Sequence, residues 1–142
     1  VDGVEKVSDL GEVLSRSDHI VLALPLTRNT RQIIDRAALA HIPAAAGVHL
    51  INPSRGGLVD YEALREALDD GRLARASLDT VEPEPLPTGH WLYSHPAVKL
   101  SPHISWSIPG AFDLLLETFI ENLVLYRSGE SLRGVVDLEH GY

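Results

Sequence analysis

Four short apolar runs, separated by amphipathic stretches, constrain the fold of this chain more than any other feature. Each run is followed by Pro, Gly or a polar turn, the pattern of a strand that is buried on both faces of a parallel sheet. The four predicted strands are His19–Pro25, Val48–Asn52, Ala74–Asp79 and Val98–Ser101.

The stretches between and after these strands have helical periodicity. Strands that alternate with helices favour right-handed crossover connections and a parallel sheet with helices on both faces. We therefore expect an α/β fold, a partial doubly wound parallel sheet that is Rossmann-like, with three αβα layers. The predicted helices run from an N-cap at Ser8 to Arg16, from an N-cap at Asp60 to Gly71, and from Pro109 to Arg127 before Gly129.

Charge and composition narrow the classes of partner. The chain has 12 Lys and Arg against 20 Asp and Glu, a net charge of −8, which disfavours binding to a phosphate backbone. Its longest apolar runs, such as Ile20–Leu24, are far shorter than the roughly 20 residues of a membrane span. No cysteine is available for disulfides or thiolate ligands, and His90 and His95 lack a third metal ligand nearby. We expect a cytoplasmic protein that binds no metal, nucleic acid or membrane.

Charged side chains follow three successive predicted strands. Ligands of parallel α/β sheets bind beyond the carboxyl ends of the strands, where Arg55, Glu82, Glu84 and His103 stand. Arginine offers a planar fork for a carboxylate, and histidine exchanges protons near neutral pH with an imidazolium that a carboxylate stabilises. The recurrence at three strand ends predicts proton and hydride exchange on a carbonyl next to a carboxylate.

Three ordered motifs carry a resemblance to a known family. They are Asn52–Gly57, Leu78–Pro87 and His95–Ser105, and Ser17–Thr27 extends the likeness toward the N-terminus. Together they resemble the D-isomer-specific 2-hydroxyacid dehydrogenases. The resemblance implies an NAD(P)-dependent oxidoreductase of small D-2-hydroxy or 2-keto acids, of the hydroxypyruvate, glyoxylate or phosphoglycerate type. It also implies a homodimer for the full-length protein.

The resemblance further implies a role for each of three catalytic residues. Arg55 would bind the substrate carboxylate and help to polarise the keto oxygen. His103 would give a proton to the carbonyl as hydride arrives, and would take it back in oxidation. Glu84, and not Glu82, would be the carboxylate partner of His103.

The cofactor implied by the resemblance is NAD or NADP. Asp79 matches the family residue that holds the nicotinamide carboxamide, and Arg55 and His103 also border the nicotinamide. The other residues expected to line the cofactor site are Leu24, Pro25, Thr30, Pro53, Ser54 and Ser105.

The sequence departs from the family pattern in residues of the expected substrate pocket and in the lack of a phosphate-binding loop. Val81 stands where an aromatic residue is usual, and Trp106 where small residues are common. The 11 glycines form no Gly-x-Gly-x-x-Gly phosphate loop, and the chain contains no Met and begins with Val1. We therefore expect residues 1–142 to be the C-terminal portion of a dinucleotide-binding domain, without the phosphate loop and the substrate domain. Such a fragment would be inactive or weakly active alone.

A non-catalytic function remains as the alternative. A truncated relative could act as a dimerisation or cofactor-sensing module through the long apolar helix that begins at Pro109. The combination of Arg55, Glu84 and His103 favours the enzyme, because a scaffold has no physical need of an anion clamp, an acid and a base together.

Overall fold

The computed structural model describes residues 3–139, in which two compact units divide after His103. The first unit contains a four-stranded, all-parallel sheet whose spatial order follows the chain, β1-β2-β3-β4. The strands are β1 His19–Val21, β2 Val48–Asn52, β3 Leu73–Leu78 and β4 Val98–Leu100. The predicted Rossmann-like α/β class with a parallel sheet is confirmed.

The described residues contain four α-helices, three in the first unit and one in the second. Asp9, and not the predicted Ser8, caps the first helix, because the Asp9 carboxylate accepts the backbone N–H of Glu12. Asp60 caps the third helix as predicted, through the N–H groups of Glu62 and Ala63. The helices are α1 Leu10–Arg16, α2 Arg36–Leu39, α3 Tyr61–Asp69 and α4 Ala111–Ser128, with single 3-10 turns at Gly56–Leu58 and Trp91–Tyr93.

Within the first unit the core lies on one face of the sheet. Burial alternates along β1 and β2, where Ile20 and Leu50 are buried while their neighbours are more exposed. Right-handed crossovers that join strands in consecutive order all run on the same side of a sheet. The crossover helices α2 and α3 contact each other on that side. The prediction that the strand beginning at His19 is buried on both faces is therefore wrong. That strand also ends at Val21 and does not reach Pro25.

The second unit is dominated by α4. The helix lies between two glycines in the left-handed conformation, Gly110 with φ 81° and Gly129 with φ 70°. It starts two residues later than Pro109 and ends at Ser128, so the predicted long helix is confirmed. No side chain of α4 is buried. Across residues 3–139 no helix combines the length and the hydropathy that crossing a membrane requires.

Candidate active site

The strand ends that carry the predicted site residues are aligned by the sheet. The parallel ladder continues past the strands, because Asp79 N–H donates to Asn52 O at 3.0 Å and Ser101 N–H donates to Leu78 O at 3.0 Å. The loops after β2, β3 and β4 therefore leave from one edge of the sheet, side by side.

The loop after β2 is pinned by a buried asparagine. Asn52 Nδ2 donates to Arg55 O at 2.8 Å, and Asn52 Oδ1 accepts the N–H of Ser54 at 3.0 Å. Ser54 Oγ donates to Leu22 O at 2.6 Å, which fastens the loop to the chain after β1. These bonds hold Arg55 at the sheet edge with an exposed side chain. Among the described residues, no carboxylate lies within ion-pair distance of Arg55.

Two glycines let the loops after β2 and β3 approach closely. A Cβ on Gly56 would lie 2.5 Å from the backbone nitrogen of Glu82, closer than any side chain can come. A Cβ on Gly57 would lie 2.9 Å from Leu26 Cδ2 and would collide with the Glu82 carboxylate. Both glycines are buried. The chain directly after Arg55 therefore packs closely against the loop that carries Glu82 and Glu84.

His103 and Glu84 form a pair. His103 Nδ1 lies 3.0 Å from Glu84 Oε2, and both side chains are partly exposed, at 40% and 43%. The His103 backbone has φ 54°, a left-handed conformation that costs free energy for any residue but glycine. It is held there in part by its N–H, which donates to Asp79 O at 2.9 Å. The carboxylate fixes the orientation of the imidazole ring at Nδ1.

Asp79 is a buried carboxylate at the end of β3. Ser101 Oγ donates to Asp79 Oδ1 at 2.5 Å. Sequence reasoning did not assign Ser101 to the site. The signal was present in the register, because Leu78 pairs with Leu100 and the residues that follow them are therefore neighbours.

The loop after β1 is closed by its own threonines. Thr30 Oγ1 donates to Pro25 O at 2.7 Å and accepts the N–H of Thr27 at 2.7 Å. Leu24 and Pro25 are exposed on this loop, and Leu24 is 40% accessible.

The remaining predicted residues lie in different places. Pro53 is half-buried in the loop after β2, beside Ser54. Ser105 belongs to the second unit, where it is exposed. Within residues 3–139, His, Asp and Glu side chains form no group of three that could hold a metal ion. An open, mainly apolar cavity of about 440 Å³ adjoins the His103 partner, and it is lined by Val81, Glu84, Pro85, Leu86, Tyr93, Leu100, Ser101 and Pro102.

Residues 1–105 match the family described as "D-isomer specific 2-hydroxyacid dehydrogenase, NAD binding domain". The chain belongs to the D-isomer specific 2-hydroxyacid dehydrogenase family. Its dehydrogenase relatives include the glyoxylate reductase of Thermofilum pendens, which is 37% identical over 132 residues. The glyoxylate/hydroxypyruvate reductase A of Serratia proteamaculans is 34% identical over 146 residues.

Solved structures of D-isomer specific 2-hydroxyacid dehydrogenases have the same fold. The enzyme of Xanthobacter autotrophicus in complex with NADPH and MES is 38% identical with a TM-score of 0.83, over 94% of this chain and 53% of that one. The NADPH-dependent glyoxylate/hydroxypyruvate reductase of Sinorhizobium meliloti, in complex with NADP and sulfate, is 33% identical with a TM-score of 0.82, over 94% and 42%.

The chain is shorter than the dehydrogenases that it resembles. The match to the Thermofilum enzyme covers 93% of this chain and 38% of the relative. The match to the Serratia enzyme covers 100% of this chain and 45% of the relative. The chain thus spans less than half the length of these curated relatives.

Proposed function

We propose that this chain carries the acid–base pair and the carboxylate-binding residue of an NAD(P)-dependent dehydrogenase that acts on small D-2-hydroxy and 2-keto acids. The observation that carries the proposal is the 3.0 Å contact between His103 Nδ1 and Glu84 Oε2, on the sheet edge where Arg55 also lies. The relatives named glyoxylate reductase and glyoxylate/hydroxypyruvate reductase support this substrate class.

Arg55 is the proposed site of the substrate carboxylate. Its side chain is exposed at the sheet edge, and its backbone is fastened by Asn52. A guanidinium can bind a carboxylate through two parallel hydrogen bonds, which fixes the orientation of the acid as well as its position. The keto carbon next to that carboxylate is then held at a fixed distance from Arg55.

His103 is the proposed acid and base. Glu84 holds Nδ1 and stabilises the positive charge of the protonated ring, which leaves Nε2 as the atom that exchanges a proton with the substrate oxygen. In reduction Nε2 gives its proton to the keto oxygen, and in oxidation it takes the proton of the hydroxyl. The strained, well-anchored backbone of His103 keeps the ring in one place through both directions.

The donor set at the sheet edge fits a nicotinamide. A buried carboxylate such as Asp79, fixed by Ser101, is a suitable acceptor for the N–H groups of a carboxamide. A bound nicotinamide cofactor supplies or accepts the hydride. The residues proposed to hold it are Leu24, Pro25, Thr30, Pro53, Ser54, Arg55, Asp79, His103 and Ser105.

The domain assignment and the assembly belong to the same proposal. Residues 1–142 are proposed to form the C-terminal portion of a dinucleotide-binding domain. The sheet edge carries side chains that suit a nicotinamide, while the sequence holds no Gly-x-Gly-x-x-Gly loop. The full-length enzyme is proposed to be a homodimer.

The test is a kinetic assay of the full-length gene product with NADH or NADPH and glyoxylate or hydroxypyruvate. We expect turnover, and we expect His103→Gln to lower kcat by a factor of about 10² to 10⁴, the usual contribution of a general acid. The matched control is His41→Gln, because His41 is an exposed histidine of the same unit away from the sheet edge. Turnover that survives His103→Gln would refute the acid–base assignment. Dinucleotide binding without turnover would favour the non-catalytic module.

A further inference from the structure

We propose that Glu82, held by Arg31 and Tyr61, is a positioning residue that keeps the loop of Glu84 in place against the loops after β1 and β2. The inference rests on the proposed function, because it assigns what holds the acid–base pair in place. Glu82 lies two residues before Glu84, and its side chain points to different partners.

The contact between Glu82 and Arg31 is a two-point ion pair. Arg31 Nη1 donates to Glu82 Oε2 at 3.0 Å, and Arg31 Nη2 donates to Glu82 Oε1 at 3.1 Å. Paired bonds of this kind fix the angle between two groups as well as their distance. Arg31 belongs to the loop after β1, where its N–H donates to Thr27 O at 3.0 Å. The ion pair therefore connects the loop after β1 to the loop after β3.

Tyr61 holds the backbone of Glu82. Its hydroxyl oxygen accepts the N–H of Glu82 at 2.8 Å. Tyr61 is the first residue of α3, and burial raises the pKa of its phenol, so the ring stays neutral. The start of α3 therefore holds the backbone of Glu82, while Arg31 holds its side chain.

Gly57 lies directly against the Glu82 carboxylate. The Glu82 carboxylate lies so close over Gly57 that a Cβ at this position would collide with it, and Arg31 Nη1 would lie 3.3 Å from that Cβ. Gly57 is separated from Arg55 by one residue. Glu82 consequently contacts the loop of the proposed carboxylate-binding residue, the loop after β1 and the start of α3, while its own loop carries Glu84.

Because the ion pair is exposed, its loss can disturb the position of the Glu84 loop without a large change in the free energy of folding. The side chains of Arg31 and Glu82 are 52% and 46% exposed, and exposed ion pairs contribute little to the free energy of folding. Glu82→Gln keeps the shape and one hydrogen-bond acceptor but removes the charge. We therefore expect this variant to fold normally and to disturb the neighbouring site.

The experiment measures the ring ¹⁵N chemical shifts of His103 in the 142-residue chain by NMR, together with the melting temperature. The variants are Glu82→Gln, Arg31→Gln, the double variant and Arg31→Lys. Glu84→Gln sets the shifts of a ring that has lost its partner. Glu66→Gln is the matched control, because Glu66 forms an exposed ion pair with Arg36 at a different place.

We expect Glu82→Gln and Arg31→Gln each to move the His103 shifts by roughly half of the change seen in Glu84→Gln, with no further change in the double variant. Arg31→Lys should restore part of the effect, since lysine keeps the charge without the two-point geometry. The melting temperature and the shifts of the Glu66→Gln control should match those of the wild type.

Three results would overturn the inference. Wild-type His103 shifts in Glu82→Gln and Arg31→Gln would show that the ion pair of Glu82 and Arg31 does not position His103 and Glu84, and would leave the proposed function intact. A change in shifts that occurs only with a large fall in melting temperature would mean that Glu82 serves folding. Unchanged shifts in Glu84→Gln would refute the His103 pair itself, and with it the acid–base assignment.

Discussion

At the scale of single residues, Arg55 gives the most direct prediction. Arg55→Ala in the full-length enzyme should raise the KM for the keto acid by a factor of about 10 to 100, because a hydrogen-bonded charge contact contributes about 1.5–3 kcal/mol. Arg55→Lys should recover only part of this, since lysine offers one point of contact. Steady-state kinetics measures the effect, with Arg36→Ala as the control for an exposed arginine elsewhere. A KM unchanged in Arg55→Ala would contradict the assignment.

Gly56 gives a prediction about stability. Gly56→Ala should lower the free energy of unfolding by about 1–3 kcal/mol, because the added methyl group meets the backbone of Val81 and Glu82, which cannot move aside. The measurement is urea denaturation. Gly11→Ala is the comparison, because its Cβ would meet the His41 ring at 2.7 Å, and an exposed side chain can rotate away. Equal losses in both variants would argue against the close approach of the two loops.

Most of the candidate site could be predicted from residues at strand ends. Arg55, Glu84 and His103 follow three neighbouring strands in a fixed register, so their placement at one edge of the sheet is a property of the parallel strand order. The choice of Glu84 over Glu82 came from the family resemblance. The role of Arg31 could not be predicted, because its partner is 51 residues away and no local pattern marks the pair.

At the scale of elements, sequence periodicity located the strands and the longer helices and missed the short ones. Four residues of α2, Arg36–Leu39, make a single turn, which is too short to show a helical period. The first strand was predicted too long, since its apolar run continues beyond Val21 into the exposed loop at Leu24. One-sided burial was also invisible in the sequence, because it depends on strand order.

His49, on the less buried face of β2, gives a prediction about pH. Burial, Arg75 and His19 together lower the pKa of His49 below its ordinary value of 6.5. The unfolded chain therefore binds a proton at His49 more readily than the folded chain, and stability falls as the pH drops below 6.5 toward the folded pKa. His49→Gln should weaken this loss, while His41→Gln should not. Urea denaturation at one pH above 6.5 and one below it measures the difference, and equal losses in His49→Gln and wild type would refute it.

At the scale of the whole molecule, the apolar surface of α4 is the dominant feature. Large side chains are exposed along its length, among them Phe112 at 72%, Leu115 at 63% and Phe119 at 63%. Exposed apolar patches of this kind favour association. The long helix was predicted from its periodicity, and its exposed apolar face predicts association with another surface.

We expect the 142-residue chain to self-associate through α4. Its mass in solution, measured by light scattering, should exceed 15.5 kDa and should increase with concentration. Phe119→Glu combined with Leu123→Glu should return the mass to that of a monomer, because two charges on one stripe oppose burial. Glu130→Gln is a control beyond the end of the helix. A monodisperse monomer at every concentration would contradict the expectation.

The consecutive order of the strands has a consequence for the size of the substrate. Neighbouring strands are about 4.8 Å apart, so Arg55 after β2 and His103 after β4 start from backbone positions separated by about 10 Å. The sheet therefore fixes the gap between the two backbone positions from which these side chains extend. We expect this fixed gap to favour acids whose carbonyl lies directly beside the carboxylate. Longer separations, as in 3-keto acids, would place the reacting oxygen out of register with His103.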